Sequence, residues 1–337
     1  MMMANNLIVA LLLCIGAMAD ILGPISENML KHLHRKPKRY EPLLRSIAEF
    51  GETGSFGGKM FSEEKISNTP IIFIHGNSDS ALKHGEGKWQ SGWDEIIKYF
   101  QSKDYTLAEM YGITYGDRNI STSYTRHFNC ETLTLHRRFV EFVLHYTQSP
   151  KVHIIGHSMG ASIARKVIQG GEFSTKTEAC DLGPNISDQV GTLIALASAN
   201  YGMCPCQNAF AFPACSMDNG FYPGTCLDNM CGSNHLNISD SCSDIPYSRY
   251  LMSLNQNARK DADVVASLWS NDDEIIGPGG MVWGRLTSLV PHSDIKKVYQ
   301  NINHNEVKLL TAADQYDIIR QYDDKFTTDS DTTMELF

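Results

Sequence analysis

The sequence contains no apolar run long enough to cross a bilayer. Its longest, Leu7 to Ile15, falls far short of the ~20 residues a spanning helix needs. A surplus of positive charge is also missing. Asp and Glu number 38 against 29 Lys and Arg, a net charge of -9, so no broad basic face can neutralise phosphates and a nucleic-acid partner is not expected. There is no internal repeat, and nothing in the composition suggests disorder, collagen or coiled coil. The glycines at 51, 54, 57 and 58 mark a loop and not a phosphate cradle, since no helix follows at the required place. What is present is 337 residues, 42% of them hydrophobic, enough for one large domain or two small ones.

Nine cysteines is an odd count, which would leave a free thiol in an oxidising compartment. The N-terminus resolves it. The run Leu7 to Ile15 is followed by Gly16-Ala17-Met18-Ala19, in which small Ala17 and Ala19 flank Met18 as signal peptidase requires, so residues 1–19 are expected to be a secretory signal; an uncleaved anchor is the alternative. Cleavage there removes Cys14 and leaves eight cysteines, an even number. Three sequons, at Asn119, Asn185 and Asn237, agree with an exported, extracellular glycoprotein.

From Asp20 to about Asn68 the chain reads as an irregular, solvated segment with a basic cluster: Lys31, Arg35, Lys36, Lys38 and Arg39. Processing after Lys38-Arg39 and contact with anionic lipid are the other two readings of that cluster. At Pro70 the pattern changes. Ile71-Ile72-Phe73-Ile74 is a continuous apolar run, as expected of a strand buried on both faces. Further strands are expected at Thr106 to Thr114, Val152 to Ile155, Val190 to Ala197, Val264 to Trp269 and Ile295 to Tyr299. Between them lie helical stripes: Trp93, Ile96, Ile97 and Phe100; Leu135, Phe139, Phe142 and Val143; Met159 to Gln169; and Asn305 to Gln315 or beyond. This alternation predicts a mostly parallel, doubly wound α/β sheet across residues 69–322, followed by a frayed acidic tail at 323–337.

Residues 200–245 break the rhythm. They hold Cys204, Cys206, Cys215, Cys226, Cys231 and Cys242 with Phe210, Phe212, Phe221 and Tyr222, and little helix or strand pattern. Disulfides are the expected staple in an exported chain, with zinc as the rival use of clustered cysteines; six cysteines allow fifteen pairings. The insertion leaves the sheet at the edge where the serine described next is expected. Its aromatics are read either as a wall of the site beside that serine, or as the small core of a stapled surface loop.

Directly after the strand at Val152 stands Gly156-His157-Ser158-Met159-Gly160, between strand and helix. A serine on so tight a turn needs glycine on both sides, and the turn lifts its Oγ to the C-terminal edge of the sheet. Ser158 is therefore expected to be a nucleophile. Partners should follow in the order acid, then histidine. Asp272 and Asp273 both follow a strand end within reach of an imidazole, and local chemistry does not separate them. Of the two later histidines, His292 precedes the last strand and emerges at the wrong edge, whereas His304 follows it, so His304 is expected to be the base. An oxyanion hole is expected from the backbone N–H groups of Met159 and Asn77. His75 and His157 are read as packing beside the site and not as further catalytic groups, since one general base suffices.

With Pro70 to Asn77, Gly156 to Gly160, Ser270-Asn271-Asp272-Asp273-Glu274 and Asn303-His304-Asn305-Glu306 in order, the chain resembles the class 2 triacylglycerol lipases, most of all the secreted lipase-like proteins abundant in nematodes. The likeness covers about residues 50 to 320. It implies an α/β-hydrolase with a disulfide-rich insertion, acting on carboxylic esters, in particular acylglycerols, without metal or cofactor. It also implies Ser158 as nucleophile, His304 as base and Asp273 as acid. Transient contact with lipid interfaces is implied, and no stable protein partner. A phospholipase or thioesterase would use the same triad, and a non-catalytic lipid-binding protein is the reading from another class.

Overall fold

The computed structural model describes residues 23–233 and 239–334. A seven-stranded sheet runs through the centre in the order β1-β3-β2-β4-β7-β8-β11. Its strands are β1 (Ser55–Phe56), β2 (Ile71–Ile74), β3 (Met110–Ile113), β4 (Val152–His157), β7 (Val190–Leu196), β8 (Val264–Ser270) and β11 (Ile295–Tyr299). All pairings are parallel except β1 with β3. Two hairpins stand apart from it, β5 (Glu172–Ser174) with β6 (Ala179–Asp181) and β9 (Met281–Val282) with β10 (Arg285–Leu286). On one face lie α1 (Glu27–Leu33), α2 (Glu41–Phe50), α4 (Cys130–Thr147) and α5 (Met159–Gln169). On the other lie α3 (Asp94–Gln101) and α9 (Ala312–Met334). Shorter helices are α6 (Asp240–Ser243), α7 (Arg249–Asn255) and α8 (His304–Leu310). Helices on both faces explain why β2, β4 and β7 are buried along their whole length and read as apolar runs. No helix among the described residues is long and apolar enough to cross a membrane.

The N-terminal segment differs from its irregular reading. Ile25, Met29 and Leu33 recur at four-residue spacing and are buried, Ser26 Oγ caps α1 by accepting from Met29 N at 3.2 Å, and Pro42 opens α2. The segment adds β1 to the sheet, so it is part of the core. The basic cluster runs from Lys31 on α1 into the exposed turn between α1 and α2, where Arg39 pairs with Glu141. At the other end the acidic tail is not frayed through 334: α9 continues to Met334. The helix expected over Asn305 to Gln315 is interrupted at Thr311, whose hydroxyl turns back to Val307 O at 2.7 Å. Strand β3 is shorter than Thr106 to Thr114 because Thr106 to Glu109 form a turn, and the buried Glu109 carboxylate accepts from the N–H groups of Ser67, Asn68 and Thr106.

Eight cysteines form four disulfides: Cys130–Cys180, Cys204–Cys231, Cys206–Cys215 and Cys226–Cys242. With their sulfurs bonded in pairs, the zinc reading of the insertion falls. The first bridge ties the start of α4 to β6; the other three staple the insertion. The insertion is rooted by the buried Arg165 of α5, which donates to Asp261 Oδ2 (2.8 Å), Asn200 Oδ1 (3.0 Å) and Asn255 Oδ1 (2.7 Å). Its aromatics divide. Phe221 is buried against Phe128 (5.0 Å between rings), whereas Phe210 and Phe212 are exposed and line a groove of about 830 Å³. Of the sequon asparagines, Asn119 is exposed and caps a 3-10 turn, Asn185 is half-buried and accepts from Ser187 N, and Asn237 lies outside the described residues.

Candidate active site

Ser158 joins β4 to α5 with φ 54° and ψ -123°, a left-handed conformation that an L-residue adopts only where its surroundings enforce it. Its N–H is held by Leu196 O at 2.8 Å, and the flanking glycines are dictated by space. A Cβ on Gly156 would stand 2.7 Å from Ala161 Cα, and one on Gly160 would run into the backbone carbonyls of Ile74 and His75. The turn therefore sits pressed against the end of β2, where Gly76 and Asn77 begin the next loop.

His304 opens α8. Asn303 caps that helix and Glu306 completes a capping box, a signal present in the sequence as Asn303-x-x-Glu306. The imidazole is buried, and its Nδ1 lies 2.7 Å from Asp273 Oδ2. The other carboxylate oxygen of Asp273 accepts from Ile275 N (2.9 Å) and Ile276 N (2.8 Å), so the acid is fixed by its own loop. Asp272 is not part of this pair: it is exposed and accepts from Asn301 N at 2.7 Å. His292 is an exposed turn residue ahead of β11. The main chain of His304 is gripped at both ends, its N–H by Glu274 Oε2 (2.9 Å) and its carbonyl by His157 Nε2 (3.0 Å).

Both neighbouring histidines are neutral. Burial pushes His157 well below the ordinary imidazole range, so the proton it gives to His304 O resides on Nε2. Burial likewise lowers His75 to about 3. There Nε2 accepts from Tyr115 N (3.1 Å), which leaves Nδ1–H to donate to Gly76 O (2.7 Å), with the ring stacked on Tyr115. His75 thus braces the loop that begins at Asn77. The Asn77 side chain is engaged elsewhere: Nδ2 donates to Ser123 O (3.0 Å) and Oδ1 accepts from Arg126 Nε and Ser78 Oγ. Arg126, which also holds Asp117 and Asn119 O, clamps this loop to the 3-10 turn at 120–125. Sequence reasoning passed over Arg126, and also over Trp89, whose ring centre is 6.0 Å from that of His304. The one available signal for Trp89 was an aromatic in the loop after β2.

A mostly parallel sheet that turns from its central strand into a helix through a serine at positive φ is the α/β-hydrolase fold. The chain belongs to the class 2 lipase family, whose model matches residues 68–317, and it is a hydrolase of the lipase and esterase type. That match begins after α1 and α2. Among solved structures, Aspergillus fumigatus lipase B is 11% identical with a TM-score of 0.44, over 73% of this chain and 48% of that one, so the chain spans about half the length of that lipase. A metagenome-derived lipolytic enzyme is 12% identical with a TM-score of 0.47, over 80% of this chain and 98% of its own. A truncated carbohydrate esterase from gut microbiota is 13% identical with a TM-score of 0.46, over 80% and 89%. No curated protein matches the sequence.

Proposed function

We propose that the protein is a secreted hydrolase of carboxylic esters, a lipase for acylglycerols that works through an acyl-enzyme on Ser158. His304 Nε2 takes the Ser158 proton as Oγ attacks the ester carbonyl. Asp273, accepting from Nδ1–H, holds the required tautomer and stabilises the imidazolium. Negative charge developing on the carbonyl oxygen meets the N–H groups of Met159 and Asn77, at the start of α5 and of the loop braced by His75. The tetrahedral adduct collapses as His304 returns the proton to the departing alkoxide, and water then releases the acid by the same steps. The observation that carries this reading is the buried 2.7 Å contact between His304 Nδ1 and Asp273 Oδ2, on the sheet edge that also bears Ser158. Secretion is supported by four disulfides, which persist in oxidising compartments, and of the two described sequon asparagines Asn119, exposed on its turn, is the better placed for a glycan.

The test is a panel of acyl esters, triglyceride, phospholipid and thioester on purified protein beside Ser158→Ala, with fluorophosphonate labelling of both. Loss of a triad nucleophile lowers turnover by about a million-fold. Near wild-type ester hydrolysis by Ser158→Ala, or no label on Ser158 in active protein, rejects the reading; turnover of phospholipid or thioester in preference to triglyceride rejects the acylglycerol substrate alone.

A further inference from the structure

At the active edge a cleft of about 210 Å³ opens between α2, the start of α4 and the residue that follows Ser158. Its deep walls are the buried Tyr115, Leu135 and Met159, joined by half-buried Phe50 at the end of α2. Its rim is charged, and Arg45 of α2 bridges there to Glu131 of α4 at 2.9 Å, an exposed pair. The loop from β3 to α4 leaves the sheet at its C-terminal end, so this cleft and Ser158 share one edge. Two of its walls, Met159 and Tyr115, are also the residues that flank the nucleophile turn and stack on His75.

We propose that this cleft receives the acyl chain of the ester, so that α2, which lies outside the family's matched segment, sets chain-length preference. The inference rests on the Ser158 reading above. An apolar cavity of ~150 Å³ holds one benzene molecule, so a cleft this size takes a chain of about four to eight carbons. A longer chain must leave across the charged rim, where the exposed Arg45, Glu49 and Glu131 offer it no apolar cover. The enzyme is therefore selective for short and medium acyl esters. Its open neighbour, the groove along Phe210 and Phe212, is separated from the cleft by His127, which lines both.

The test measures kcat/KM on p-nitrophenyl acetate, butyrate, octanoate and palmitate for the full chain. Wild-type protein should be fastest on butyrate or octanoate and at least tenfold slower on palmitate, the size of discrimination a shape-limited apolar pocket delivers. Leu135→Phe, which fills the cleft, should lower the octanoate-to-acetate ratio about tenfold. Phe50→Ala, at a half-buried position tolerant of truncation, should raise the palmitate-to-butyrate ratio several-fold. The proposal is overturned by a wild-type preference for palmitate, or by unaltered ratios in both variants while hydrolysis still depends on Ser158. Hydrolysis that survives Ser158→Ala instead removes the reading beneath it, and the proposal falls with that reading.

Discussion

Lys308 Nζ lies 2.6 Å from Asp79 Oδ2 with both side chains buried. Lys308 stands one turn along α8 from His304, and Asp79 stands two residues after Asn77 in the loop that follows β2. The same ammonium donates to Gly92 O (2.8 Å) and Ser91 Oγ (2.9 Å), and Asp79 Oδ1 accepts from Gly92 N (2.9 Å), so neither charge is left without partners. One ion pair therefore joins the helix that begins with the proposed base to the loop that supplies a proposed oxyanion donor.

Lys308→Met leaves the Asp79 carboxylate buried and unpaired. Removal of one partner from such a pair costs about 3–5 kcal/mol, whereas replacement of both by apolar groups is close to neutral. Urea unfolding at pH 7 should show that loss in Lys308→Met and recovery of most of it in Lys308→Met with Asp79→Leu. Burial acts to raise the Asp79 carboxyl, but the Lys308 charge, the nearby His75 and the hydrogen bonds from Lys308 and Gly92 N together outweigh it and hold the group below its ordinary 3.8. A depressed carboxylate stabilises the fold above the unfolded pKa and ceases to as pH falls through the folded one. Wild type should accordingly lose stability relative to the double variant below about pH 4.

His136 of α4 is buried and lowered to about 4 by desolvation, with its Nδ1 within 2.9 Å of Thr132 O. The unfolded chain binds its proton near 6.5 and the folded chain does not. Stability attributable to this group is complete above pH 6.5 and declines by about 1.4 kcal/mol per pH unit between 6.5 and 4. His136→Leu should flatten the fall of unfolding free energy with acid by that slope, read from denaturant titrations at pH 7, 6 and 5. An unchanged slope would mean that His136 titrates in the native protein.

The elements that place Ser158 and His304 were legible because their signals are local. Ile71 to Ile74 is one apolar run, Gly156 to Gly160 places glycine where neighbouring backbone leaves no room, and Asn303-x-x-Glu306 marks the start of the helix that holds His304. Helix α1 carried the right periodicity in Ile25, Met29 and Leu33, but the charged cluster beside it favoured a solvated reading. The buried charges were not legible. Lys308 finds Asp79 across 229 positions, and Arg126 finds Asn77 across 49, so nothing in either neighbourhood shows that these charges leave water. Local chemistry left Asp272 and Asp273 equivalent and only the family resemblance pointed to Asp273; the difference lies in the backbone of their turn, which directs one carboxylate to His304 and the other to Asn301.

The bridges should differ in what they contribute. On chain entropy, closing the 50 residues between Cys130 and Cys180 restrains the unfolded state by about 4 kcal/mol, and closing the 9 between Cys206 and Cys215 by about 2.6 kcal/mol. Cys130→Ala with Cys180→Ala should lower the denaturation midpoint further than Cys206→Ala with Cys215→Ala. Equal losses would locate the stabilisation in native packing around the bridges and not in loop closure.

Asp272 and Asp273 are adjacent acids with opposite expectations. Asp273 is buried, fixed by two backbone N–H groups and in contact with His304, so Asp273→Asn keeps the shape but offers the imidazole an amide in place of a carboxylate. The corresponding change in a serine protease triad lowers kcat about 10⁴-fold by favouring the wrong tautomer, and a loss of that order is expected here on p-nitrophenyl butyrate with KM little altered. Asp272→Asn removes an exposed acceptor for Asn301 N and should leave kcat within a few-fold of wild type. The inverse outcome, with Asp272→Asn inactive and Asp273→Asn active, would assign the acid to Asp272. It would require the loop between β8 and Ile275 to turn over when substrate binds, because it is Asp273 that now holds His304 Nδ1.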